Sequence, residues 1–176
     1  MFNFDNFYTT KKTSPWTNTC QFIIIHHTGS GTYLSNCKYL STGAWIASVQ
    51  FVVGEEWQAA KIGEPRNIMR HAGESERGTY KSMNQYALGI EVVWPDKDGW
   101  FSDKQYTTLV KLVKHLMATF SIPKENVLKH SDITWGGSKE MKLWDGKSPA
   151  RKTDISPTLW NRRWYKNFAE WRQKVL

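Results

Sequence analysis

The chain has 176 residues, 40% of them hydrophobic and 23% charged, with 12 Gly and 6 Pro. That describes one ordinary domain with its own core and excludes a collagenous, low-complexity or disordered chain. Lys and Arg number 24 against 16 Asp and Glu, a net charge of +8 that favours a polyanionic partner or surface, and ten tryptophans exceed what one small core absorbs with every indole N–H satisfied.

The first residues, MFNFDNFYTTKK, carry no basic stretch followed by an apolar one, and no apolar run reaches the roughly 18 residues that cross a bilayer. Neither a Sec signal nor a membrane span is expected. Residues 1–20, rich in Thr, Asn and Lys, are expected to wrap a single domain formed by residues 21–176. QFIIIHH at 21–27 is a β-branched apolar run of buried-strand length, and Tyr33–Gly43 has room for a short helix. SVQFVVG at 48–54 and WQAAKI at 57–62, parted by Glu55 and Glu56, predict a hairpin. YALGIEVVW at 86–94 predicts another strand. From Asp103, Leu109, Leu112, Val113, Leu116, Met117 and Phe120 recur at spacings of three and four, the stripe of an amphipathic helix. Ser102 with Gln105 predicts a capping box at its start, and Pro123 its end. VLK at 127–129 is a short apolar run, and a last helix is expected from about Asn161 to Lys174. Strands with helices interspersed and following predict an α/β fold, a mixed central sheet flanked by helices.

No phosphate-binding glycine loop, GxGxxG, CxxC pair or HExxH is present. Cys20 and Cys37 allow at most one bridge, and two buried free thiols are the simpler expectation. The five histidines are not equivalent. His115 lies beside Lys111 and Lys114 and reads as a solvated surface residue. His26 and His27 end a buried strand, where adjacent side chains point to opposite faces, so at most one faces a given site. A buried histidine with a structural partner is the plain alternative. His130 follows VLK and precedes the loop SDITWGG, a position where sites are built. In an extended segment Lys152 and Asp154 share a face, although two solvated loop charges would look the same. Glu91 puts a carboxylate inside the apolar run LGIEVV. It must be protonated, paired, facing a wet cleft, or on an edge open to solvent.

Six ordered landmarks, FIIIHHTG (22–29), SVQFVVG (48–54), HAG (71–73), NQYALGIEV (84–92), LKH (128–130) and RKTD (151–154), resemble the zinc-dependent N-acetylmuramoyl-L-alanine amidases found in phage endolysins, bacterial amidases and animal peptidoglycan recognition proteins. The resemblance implies zinc as cofactor, held by His26, His130 and Asp154. It implies Glu91 as general base and Lys152 as oxyanion stabiliser. The substrate would be peptidoglycan, cut at the amide between N-acetylmuramic acid and L-Ala. Two neutral imidazoles and a carboxylate leave a fourth position open, the arrangement of a catalytic zinc. His71 is expected either to line the cleft or to pack as a loop histidine.

Three departures accompany the resemblance. Val49 and Gln50 stand where many members carry His or Tyr, and residues 131–150 read as an inserted loop, a lid or substrate wall bearing Trp135 and Trp144. No wall-binding module is evident after the last helix. Asp132, Asp145 and Cys37 compete with Asp154 as third ligand. A non-catalytic peptidoglycan-binding module is the rival expectation, opposed by the joint presence of Asp154, Glu91 and Lys152. A nucleic-acid binder is a remoter one, since no such motif is present. The expected protein is a monomeric, endolysin-like enzyme made in the cytoplasm and acting on the cell wall.

Overall fold

The computed structural model describes residues 2–7, 15–42, 47–94, 101–133 and 167–176. Among these described residues eight strands and three α-helices follow in chain order: β1 (Asp5–Asn6), β2 (Phe22–His27), α1 (Tyr33–Ser41), β3 (Phe51–Val53), β4 (Ala59–Lys61), β5 (Glu76–Arg77), β6 (Tyr80–Lys81), β7 (Ala87–Val92), α2 (Asp103–Phe120), β8 (Val127–Lys129) and α3 (Phe168–Val175). Six strands form one mixed sheet in the order β1-β4-β3-β7-β2-β8, and β5 pairs with β6 in a separate hairpin. All neighbours in the large sheet run parallel except the hairpin pair β3 and β4. This is the expected single-domain α/β layer fold.

Strand β2, with its run of isoleucines, lies inside the sheet with β7 and β8 on either side. Both its faces are covered, which is why it reads as an unbroken apolar run rather than an alternating one. On one face Ile23, Ile25, Leu88, Ile90 and Val127 meet Leu109, Leu112, Val113 and Leu116 of α2 and Phe168 and Trp171 of α3. On the other, α1 packs Tyr33, Cys37 and Leu40 against Val52, Ala60 and Val93 at one side, and Phe22, Ile24, Ala87 and Leu128 gather with Ala72 and Met83 at the other. The site lies between these two clusters.

Local signals account for most element ends. Thr32 caps α1 and closes a capping box with Ser35. Ser102 accepts from the Gln105 amide at the start of α2, but the Gln105 side chain does not turn back; its Nε2 donates to the buried Val93 carbonyl at 2.8 Å. Tertiary demand thus converts half of the predicted capping box into a strut between α2 and the end of β7. Helix α2 ends with Ser121 in the left-handed region at φ 55, two residues before Pro123.

The segment expected only to wrap the domain also adds the edge strand β1, and Phe2 and Phe4 pack on the core. Phe2 stacks 6.0 Å from His115, which is therefore half-buried and not simply solvated. The last helix is described from Phe168; the start expected near Asn161 lies outside the described residues. Among the described residues no helix is long and apolar enough to cross a membrane.

Candidate metal centre

Parallel register assembles the site. His26 of β2 is the Cα partner of Glu91 on β7, and one step earlier Ile25 pairs with Lys129 of β8, so His130 follows as the next position in register. Residues paired across a sheet share a face. His26, Glu91 and His130, far apart in sequence, therefore form one row at the carboxyl ends of three parallel strands, where open α/β sheets place ligands. His27 belongs to the opposite side of that alternation and sets its ring edge-on to Trp94, 4.3 Å between centroids.

The three histidine rings are linked. His26 Nδ1 lies 2.8 Å from His130 Nδ1, and His26 Nε2 lies 3.0 Å from His71 Nδ1. The outer nitrogens meet carbonyls: His71 Nε2 donates to Ala87 O at 3.2 Å and His130 Nε2 to Ala72 O at 3.3 Å. A carbonyl only accepts, and a neutral imidazole has one donor and one acceptor nitrogen. His71 is therefore an acceptor at Nδ1, His26 donates from Nε2, and both His26 and His130 turn Nδ1 lone pairs toward each other. Two lone pairs at 2.8 Å repel unless a proton or a metal ion lies between them. Neutral imidazoles with their other nitrogens bonded to fixed acceptors are the donors that a borderline metal such as zinc takes. The residues present fit the metal.

Glu91 is half-buried, with Oε2 shielded from solvent. It lines an open cleft of about 450 Å³ together with His27 to Gly31 and the polar face of α1, Ser35, Asn36 and Tyr39. The carboxylate inside LGIEVV thus faces a cleft, one of the settings its sequence allowed.

The other sequence candidates fall out as follows. Lys152, Asp154 and Trp135, with Asp145 and Trp144, lie outside the described residues. Among the described residues no group of three His, Cys, Asp or Glu is placed to hold a metal. Asp132 is engaged with Lys129, accepting from its backbone amide at 3.1 Å and lying 3.3 Å from its ammonium. Cys20 and Cys37 are buried free thiols, Cys37 inside the α1 cluster. Gln50 is fully buried, accepting from the Gly89 amide and donating to Asn67 O. Among the described tryptophans, Trp16 and Trp57 are largely exposed, as a surplus over the core requires, whereas Trp171 is buried and donates from Nε1 to Tyr106. Sequence reasoning missed Asn84 and Gly89, which hold His71 in place. An isolated glycine inside a strand run was the available signal.

The family described as N-acetylmuramoyl-L-alanine amidase matches this chain over residues 16–143, a span that takes in His26, His71, Glu91 and His130. Among solved structures, AmpDH3 from Pseudomonas aeruginosa is similar at 24% identity and TM-score 0.63, over 93% of this chain and 65% of that one. AmiD from E. coli, in complex with the substrate anhydro-N-acetylmuramic acid-L-Ala-D-γ-Glu-L-Lys, is similar at 22% identity and TM-score 0.58, over 70% of this chain and 53% of that one. A mutant endolysin from Bacillus subtilis is similar at 25% identity and TM-score 0.62, over 83% of this chain and 96% of that one. The chain thus spans about two thirds of the Pseudomonas protein and about half of AmiD. No curated protein sequence matches it.

Proposed function

The chain belongs to the N-acetylmuramoyl-L-alanine amidase family, and from that premise we propose that it is a zinc-dependent hydrolase of the amide joining N-acetylmuramic acid to L-Ala in peptidoglycan, acting on the cell wall in the manner of an endolysin. The observation that carries the proposal is the convergence of His26 Nδ1 and His130 Nδ1 in one row with Glu91, itself on the wall of an open cleft. His26 and His130 would hold the metal with Asp154 as third ligand. Zinc, when bound, supplies Lewis acidity toward water and toward the scissile carbonyl.

Glu91 takes the proton from the attacking water and returns it to the departing L-Ala amine, so that one carboxylate serves both directions of proton transfer. Its place on the cleft wall, with one oxygen shielded from solvent, supports that role. Lys152, two residues before Asp154, would bring a positive charge to the oxyanion of the tetrahedral intermediate. The cleft that Glu91 shares with α1 would offer Ser35, Asn36 and Tyr39 to the polar stem peptide. The net charge of +8 draws the protein toward anionic wall polymers.

The test is incubation of purified peptidoglycan with the protein, with and without a chelator and with zinc restored, followed by labelling of newly freed amino termini. New N-terminal alanine that vanishes with the chelator and returns with zinc is expected. Co-sedimentation with the wall and no new alanine terminus would overturn the hydrolase in favour of the binding module.

A further inference from the structure

The dipeptide His71–Ala72 touches both histidines of the proposed metal pair. His71 offers Nδ1 to His26 Nε2, and Ala72 offers its carbonyl to His130 Nε2. Each contact takes up the ring N–H that must face away from a metal if Nδ1 is to face it. One short loop therefore sets the tautomer of both rings.

The loop is itself held on three sides. The backbone amides of His71 and Ala72 both donate to Asn84 Oδ1, at 3.0 and 2.8 Å, so one side-chain oxygen fixes both residues. His71 Nε2 is tied to Ala87 O at the start of β7. The His71 ring then lies over Gly89 in the middle of β7. A Cβ built there would stand 2.6 Å from His71 Cγ and 2.8 Å from Cδ2, closer than such atoms approach. Gly89 is thus required for the room it leaves to His71. Asn84, Ala87 and Gly89 all come from the stretch that leads into Glu91, so the strand carrying the expected base also braces the ligands.

We propose that His71, Asn84 and Gly89 are positioning residues forming a clamp that holds His26 and His130 as Nε2–H tautomers with both Nδ1 atoms presented to the metal; this rests on the zinc reading above. Outer partners of this kind are worth roughly 10- to 100-fold in metal affinity. His71 is then a brace beneath the site, 9% exposed, with no part in contacting substrate.

The test is zinc affinity of the metal-free full chain, measured by competition with a chromophoric chelator, for wild type, His71→Phe, His71→Asn, Asn84→Ala, Gly89→Ala and a control, Leu112→Ala, which opens the core under α2 on the far face of the sheet. His71→Phe fills the space but cannot accept from His26, whereas His71→Asn keeps an oxygen near the Nδ1 position. Affinity reduced about 10- to 100-fold in His71→Phe, largely restored in His71→Asn, lowered in Asn84→Ala and Gly89→Ala and unchanged in Leu112→Ala is expected. Wild-type affinity in His71→Phe, or an equal loss in Leu112→Ala, would overturn the clamp while leaving the metal site standing. Should His71→Phe fail to fold, Asn84→Ala and Gly89→Ala decide in its place. Absence of zinc binding by the wild-type chain would instead remove the metal reading and the clamp with it.

Discussion

Glu91 and His26 are neighbours in register, yet their roles separate cleanly in a variant series. Glu91→Gln keeps the shape and removes the proposed base, so zinc content and folding should match wild type while hydrolysis falls by at least about 10²-fold. Metal analysis beside a turnover assay checks both halves, and near-normal turnover would leave Glu91 a structural carboxylate. His26→Ala should strip the metal, because one of the two converging nitrogens is lost. His27→Ala should keep it, since that ring packs against Trp94 and not against the histidine row. The reverse result would reassign the pair. Asp154→Ala should lose both zinc and activity, whereas Asp132→Ala should keep zinc, Asp132 being engaged with Lys129; metal content of the two purified variants decides between them.

At the scale of elements, α2 shows how a helix signal and a tertiary contact share the same residues. Ser102 caps the helix through the Gln105 amide at 3.0 Å and also donates to the Glu55 carbonyl in the turn of the β3–β4 hairpin. Ser102→Ala removes both bonds, and a cap alone is worth about 1 kcal/mol. A fall of the unfolding midpoint by about 2–4 °C, the scale for about 1 kcal/mol in a chain of this size, is expected in a thermal melt. An unchanged midpoint would mean that the cap is replaced by water. Strand β7 is the other element with a double duty. It carries Glu91 outward and, through Ala87 and Gly89, seats His71 beneath the site.

For the whole molecule, burial of proton-bearing groups sets an alkaline limit. Burial pushes the Cys20 thiol up to about 11 and the Cys37 thiol up to about 12 from an ordinary 9.0. Burial, then its hydrogen bond to Asp5, also pushes Tyr33 up. The folded chain thus holds protons that the unfolded chain releases from about pH 9 upward. By linkage their stabilisation is complete below pH 9 and is lost as the pH rises through 11 and 12. Urea midpoints measured from pH 8 to pH 11 should fall, and fall less steeply when Cys20→Ala and Cys37→Ala are combined. A flat profile in wild type would show these groups unperturbed in the folded state.

Much of this was legible in the linear chain. The isoleucine run of β2, the stripe of α2 with its Ser102 start, and the hairpin around Glu55 and Glu56 follow from periodicity and turn chemistry, which act over a few residues. Strand β1 and the β5–β6 hairpin, each strand two residues long, did not, because they carry too short a pattern. His26, His130 and Glu91 stood out because polar groups at the ends of apolar runs cost too much to be incidental. What the sequence by itself determined is the longer strands and helices and the presence of ionisable residues at strand ends. Only the tertiary structure decided which of them meet. Register places His26 beside Glu91 and His130, alternation turns His27 away, and a loop more than 40 residues from His26 brings His71 beneath it. Such contacts depend on hydrogen-bond geometry between distant segments, and no local pattern encodes that.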